Sequence, residues 1–142
     1  MPTEPVVGGF IYFIAVKFLG YTAYSHFLRN KVFDDAKNGG PARTFKIGGT
    51  RTLIGLACGL VVGTLASSVQ FYDRDSATRI YLLGLLPIGI AEWWLLLWLF
   101  FRARLSGRNV TRGITLGIVV SYLLDAIGIL AALVIPGGNW VC

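Results

Sequence analysis

Three ionisable side chains lie inside long apolar stretches of this sequence, where charged residues are rare: Lys17, Glu92 and Asp125. At about 1.5 Å of rise per helical residue, all three fall near the centre of their stretches. A charged group there costs at least ~2.5 kcal/mol to place in a membrane, so we expect the three side chains to face inward and to meet.

The formal charges of this trio do not balance. Two carboxylates and one ammonium leave one negative charge over, which a proton or a bound cation must neutralise in an apolar interior. The sequence therefore predicts an ion or proton site at Lys17, Glu92 and Asp125, in which Asp125 pairs with Lys17 and Glu92 lacks an ionic partner. The alternative interpretation is a buried salt bridge that only holds the helices together.

Further polar side chains accumulate on one side of the trio, toward the arginine-rich end of the helices. They predict a cavity that opens at that end, with lining or anion-contacting residues Tyr21, Tyr24, Arg51 and Ser121. Arg51 could meet an anionic group, or it could extend its side chain to the membrane surface. On the third apolar run, Glu92 shares a helical stripe with Ile88 and Ala91, which predicts that Trp93 faces elsewhere.

Four apolar runs position these residues, each near the ~20 residues that cross a bilayer. The chain has 142 residues, 55% of them hydrophobic, and its 14% of charged residues is well below the roughly 25% of a soluble domain. The mean hydropathy is +0.67. The sequence therefore predicts one all-α domain over 1–142, an integral membrane four-helix bundle with helices at about 6–28, 47–68, 79–101 and 113–135.

The distribution of lysine and arginine predicts the orientation. The first and third connections with their flanks hold ten of these residues, and the second holds two. Because cytoplasmic connections carry the excess of positive charge, the first and third connections are predicted to be cytoplasmic. Both termini then lie on the non-cytoplasmic side of a multi-pass protein in the cell membrane, either a plasma membrane or a bacterial inner membrane.

The second run contains three glycines at intervals of four, Gly55, Gly59 and Gly63. Glycines at this spacing share one helix face and let a neighbouring backbone approach closely. They predict a helix-packing face, used either within the chain or between copies of it, so a homo-oligomer or a membrane partner subunit stays open beside the lipid bilayer as partner.

Three classes of function are compatible with these features. The leading hypothesis is proton- or cation-linked transport of a small solute or lipid, motivated by the surplus carboxylate. The alternatives are a membrane enzyme or lipid-binding protein with a cytoplasm-facing site, and a non-catalytic subunit whose charges pair with another chain. The sequence predicts no metal site and no cofactor, and it has no nucleic-acid-binding motif.

Overall fold

The computed structural model describes residues 4–35, 40–68 and 74–134. Side-chain surroundings are described for most of 8–35, 40–62 and 86–128 within these ranges. The helices are α1 (Glu4–Phe27), α2 (Gly40–Ser68), α3 (Arg74–Phe101) and α4 (Gly107–Val134). A π-helical turn, Leu28–Val32, follows α1, and a short 3-10 turn, Arg102–Arg104, follows α3. The predicted all-α, four-helix architecture is confirmed.

Three of the helices begin five to seven residues earlier than the apolar runs predict, because the helical backbone continues beyond the hydrophobic segment. In α2 the added turns start at Gly40 and Pro41, and proline is well tolerated in the first turn of a helix. In α4 the Ser106 side-chain oxygen accepts a hydrogen bond from the Asn109 N–H (3.4 Å), which is the arrangement of an N-terminal cap. The apolar pattern therefore indicates the core of each helix and not its ends.

The four helices form an antiparallel ring, in which α1 contacts α2 and α4, and α3 contacts the same two helices. The register between α1 and α4 is clear from two contacts, Lys17 with Asp125 and Tyr21 with Ser121. We call α1 and α2 the N-terminal hairpin, and α3 and α4 the C-terminal hairpin.

The buried core lies in the half of the bundle that contains the first and third connections. Trp93 is fully buried at its centre, with the rings of Tyr21 and Tyr24 edge-on to it at centroid distances of 5.9 and 5.2 Å. The indole lies against Gly117, where an added Cβ atom would come within 2.5 Å of the ring. Trp93 therefore faces inward, which corrects the prediction from the helical stripe; Ala91 is exposed instead.

Close helix approach within the N-terminal hairpin occurs at Gly48. A Cβ atom there would lie 2.8 Å from the backbone nitrogen of Thr22, so only glycine fits between the two helices. The position of Gly55 differs from the prediction, because among the described residues an added Cβ atom there would contact only Arg51 Nη1 of the same helix, at 3.1 Å. Gly59 is half-buried, and the surroundings of Gly63 are outside the described residues.

Three helices are long and apolar enough to cross a membrane within the described residues: α2 over Gly40–Val62, α3 over Leu86–Arg104 and α4 over Gly107–Gly128. Helix α1, which was also predicted to span the membrane, is not among these three. Large apolar side chains are nevertheless exposed on all four helices, and they include Ile11, Leu19, Leu60, Leu99 and Leu123. An apolar outer surface of this kind is typical of a membrane-associated protein.

Gly48→Ala is expected to destabilise the fold by roughly 1–3 kcal/mol, because the new methyl group overlaps the Thr22 backbone. Gly49→Ala is the matched control, since its methyl group would lie 3.6 Å from the Phe18 ring, an ordinary contact. Alanine at that position is expected to be neutral or to stabilise by up to ~1 kcal/mol. Unfolding in detergent by increasing dodecyl sulfate measures both variants, and equal stability of the two would contradict the close approach.

Candidate functional site

The first ion pair in the bundle joins α1 to α4. Lys17 Nζ lies 2.7 Å from Asp125 Oδ1, and the two side chains are 14% and 30% exposed. The ammonium also lies over the Phe13 ring, 4.4 Å from its centroid. The structure therefore brings together the two residues that the sequence favoured as partners, and it leaves the Asp125 carboxylate partly accessible.

The second ion pair joins α2 to α3. Arg51 Nη2 lies 2.7 Å from Glu92 Oε2, and the two side chains are only 3% and 10% exposed. Glu92 was expected to lack an ionic partner, and this expectation was wrong. The arginine side chain extends along its own helix as far as Gly55, where the missing side chain leaves room for the guanidinium. The positions of residues along a helix do not show how far an arginine side chain extends, so the sequence did not predict this pair.

The predicted trio is thus replaced by two pairs, Lys17–Asp125 and Arg51–Glu92. Their formal charges sum to zero, so no surplus carboxylate has to be neutralised by a proton or a cation. Both pairs cross the boundary between the N-terminal and the C-terminal hairpin. Within the apolar part of the bundle, the described ion pairs between the hairpins therefore involve these four side chains.

The Arg51 guanidinium lies against two aromatic rings but is not fully hydrogen-bonded. Its central carbon lies 4.8 Å from the ring centroids of both Tyr21 and Trp93, which gives favourable cation–π contacts. Its Nε and Nη1 atoms are buried and find no hydrogen-bond acceptor among the described residues. A buried donor without an acceptor costs about 1–3 kcal/mol. These two nitrogen atoms therefore keep unused hydrogen-bond donors inside the bundle.

The other residues predicted to line a cavity make hydrogen bonds within the protein. The Ser121 hydroxyl oxygen accepts hydrogen bonds from the Tyr21 hydroxyl (3.3 Å) and from the Trp93 indole N–H (3.2 Å). The Tyr24 hydroxyl donates to the carbonyl of Gly113 (2.9 Å). Tyr21, Tyr24 and Ser121 thus form a packed polar layer beside Arg51, and this layer holds the two hairpins in register.

Sequence reasoning missed two residues beside the Arg51–Glu92 pair. Trp93 is predicted from the helical stripe to lie on another face of α3. A residue next to Glu92 in sequence can nevertheless be buried with it when the inward face of the helix is wide. The Cys58 thiol lies beside the Glu92 carboxylate. Its position seven residues after Arg51, on the same helix face, is the signal that could have identified it.

A third ionic cluster closes the end of the bundle outside the apolar core. Asp35 is buried and contacts Arg43 (3.3 Å) and Arg104 (3.6 Å) through its carboxylate. Arg104 also donates to the carbonyl of Phe33, and Arg43 donates to the carbonyl of Phe100. These contacts fasten the first connection to the end of α3, and the sequence alone did not predict them.

The described side chains include no group of three His, Cys, Asp or Glu residues that could hold a metal ion. Comparison with protein-family models, with curated proteins and with solved structures finds no match for the chain. The function must therefore be inferred from the two ion pairs and their surroundings.

Arg51→Met is expected to reduce the free energy of unfolding by roughly 3–5 kcal/mol, because Glu92 is then buried without its cation. Adding Glu92→Leu should restore part of that loss. Lys17→Met should destabilise for the same reason, because it leaves the Asp125 carboxylate without its cation. Dodecyl sulfate unfolding of the single and double variants measures the coupling within each pair.

The control for this series is Asp34→Asn, which neutralises an exposed carboxylate and should leave stability within ~0.5 kcal/mol of the wild type. Additive effects of Arg51→Met and Glu92→Leu, with no rescue in the double variant, would show that the two side chains do not interact.

Proposed function

We propose that the protein crosses the cell membrane four times, with both termini on the non-cytoplasmic side. Three helices are long and apolar enough to do so. Helix α1 packs antiparallel between α2 and α4 and exposes Ile11 (61%) and Leu19 (64%) as fully as those helices expose their own apolar residues. The excess of lysine and arginine in the first and third connections supports the orientation.

We further propose that the protein carries out proton- or cation-linked transport of a small solute or lipid that bears an anionic group. The observation that supports this proposal is the surroundings of Arg51. Its guanidinium is buried between two helical hairpins, it is neutralised by a titratable carboxylate, and two of its nitrogen atoms lack an acceptor among the described residues. Paired ionisable groups inside membrane helices are typical of substrate and ion pathways.

In this proposal, proton binding and anion binding are coupled at Arg51. A proton that reaches Glu92 removes the negative charge that neutralises the guanidinium. The buried cation then requires another anionic partner, and the anionic group of the solute can accept hydrogen bonds from Nε and Nη1 once the hairpins move apart. When Glu92 loses its proton, the carboxylate pairs with Arg51 again and displaces the solute.

Movement between the two membrane faces is assigned to the boundary between the hairpins. In the membrane-embedded bundle this boundary is held by the Lys17–Asp125 and Arg51–Glu92 pairs and by the Tyr21–Ser121 and Tyr24–Gly113 hydrogen bonds. A change in the charge of one carboxylate therefore weakens a large share of the attraction across it. Small changes at such an interface can be amplified into relative rotation of two packed units.

The subunit hypothesis predicts charged side chains that point outward to another chain. Lys17, Asp125, Arg51 and Glu92 instead pair within this chain. We therefore place the transport hypothesis first, and it no longer depends on a surplus carboxylate.

Reconstituted vesicles with a pH-sensitive dye inside and a more acidic buffer outside test this proposal. Lactate, succinate and inorganic phosphate serve as probe anions. In parallel experiments a sodium or potassium gradient replaces the proton gradient, and a dye sensitive to that cation replaces the pH-sensitive dye. At least one probe should accelerate ion entry several-fold over protein-free vesicles. Glu92→Gln should abolish this acceleration, because its side chain cannot exchange a proton, whereas Asp34→Asn should retain it.

Gel filtration before reconstitution verifies that each variant is folded. The proposal is wrong if no probe moves an ion under any of the three gradients. It is also wrong if folded Glu92→Gln vesicles match the wild-type rate.

A further inference from the structure

An open recess of about 600 Å³ lies on the outer surface of α4, at the first two and a half turns of the helix. Two of its lining residues are arginines and two are threonines. Together the lining residues are Gly107, Arg108, Thr111, Arg112, Thr115 and Leu116. The four polar residues follow the spacing of a single helix face, and all four are exposed.

The two arginines of this recess have no carboxylate partner among the described residues. The other arginines whose side-chain surroundings are described are engaged: Arg51 pairs with Glu92, Arg43 and Arg104 with Asp35, Arg29 donates to the Thr44 hydroxyl, and Arg102 lies over the Trp98 ring. Like charges four residues apart on a helix destabilise it slightly. A shared anion between Arg108 and Arg112 would remove this repulsion.

The same face of α4 becomes apolar immediately beyond the recess. Leu116 is at its edge, and Val119 and Leu123 are 50% and 59% exposed on the following turns. Helix α4 is one of the helices that can cross a membrane. In the membrane arrangement proposed above, on which this inference rests, its arginine-bearing first turns lie at the level of lipid headgroups and the following turns lie among acyl chains. The surface thus changes from cationic to apolar in the same direction in which a phospholipid changes from headgroup to acyl chain.

We propose that this surface binds an anionic phospholipid. Arg108 and Arg112 contact the phosphate, the Thr115 hydroxyl contributes a hydrogen bond, and an acyl chain lies along Val119 and Leu123. Residues four apart are about 5–6 Å from each other on a helix, so one phosphate can contact both guanidinium groups. This site is separate from the Arg51–Glu92 pair, and it does not depend on transport.

Native mass spectrometry of the detergent-solubilised full chain tests the proposal. Phosphatidylglycerol and phosphatidylcholine with identical acyl chains are the probes. Arg108→Gln with Arg112→Gln should weaken phosphatidylglycerol binding roughly 30-fold, about fivefold for each arginine near the headgroup. The matched control is the double variant Arg102→Gln with Lys31→Gln, because it removes the same charge from exposed positions at the same end of the bundle. This control should bind phosphatidylglycerol as the wild type does.

A second variant, Val119→Asn, tests the acyl-chain contact without changing the charge and should also weaken binding. Inorganic phosphate at millimolar concentration is the competing probe and should not displace the lipid. Three results would overturn the proposal: equal weakening in the two double variants, equal binding of both lipids to the wild type, or displacement by inorganic phosphate, which would indicate a site for free phosphate.

Discussion

The Arg51–Glu92 contact determines how the rest of the bundle can pack, because neither side chain can remain alone in an apolar interior. Removing one partner of a buried pair leaves an uncompensated charge. The free-energy cost of that charge is much larger than the net stabilisation that the intact pair provides. Helices α2 and α3 must therefore be placed so that the guanidinium reaches the carboxylate. The aromatic rings of Tyr21 and Trp93 then pack on the guanidinium from α1 and α3, so a single cation organises three of the four helices.

The second pair follows from the same constraint on the other side of the ring. Once Tyr21 lies beside Arg51 and donates to Ser121, the antiparallel register of α1 and α4 is set. Lys17 lies one turn before Tyr21 on α1, and Asp125 lies one turn after Ser121 on α4. The same register therefore brings Lys17 to Asp125. Glycines complete the arrangement where side chains would prevent it, at Gly48 against Thr22 and at Gly117 against Trp93. Polar pairing selects the register, and small residues allow it.

The helical architecture could be predicted from the sequence, because apolar runs of membrane length leave few alternatives. The inward position of the charged residues followed from the cost of exposing them to lipid. Two features were not accessible in this way. The Arg51–Glu92 pair depends on the length and direction of an arginine side chain. The close approach at Gly48 lies in the first third of α2, outside the series of glycines at intervals of four that the sequence presents.

The inward orientation of Trp93 was also missed, for a geometric reason. The prediction from the stripe through Glu92, Ile88 and Ala91 assumes a narrow buried face. A helix that packs against two neighbours in a ring buries a wider arc of its surface. Glu92, Trp93, Leu96 and Leu97 together occupy that arc. A position next to a buried charge can therefore be as fully buried as the charge itself.

The four charged side chains in the apolar helices form two ion pairs within one chain, and magic-angle-spinning NMR in lipid bilayers tests this pairing most directly. The dipolar coupling between the side-chain nitrogen and the carboxyl carbon would be measured for Arg51 with Glu92 and for Lys17 with Asp125. Each signal is assigned by its loss when the corresponding residue is substituted. Strong coupling in both pairs is expected from the 2.7 Å nitrogen–oxygen distances. The absence of coupling between Arg51 and Glu92, or coupling of Lys17 to Glu92 instead, would contradict this pairing.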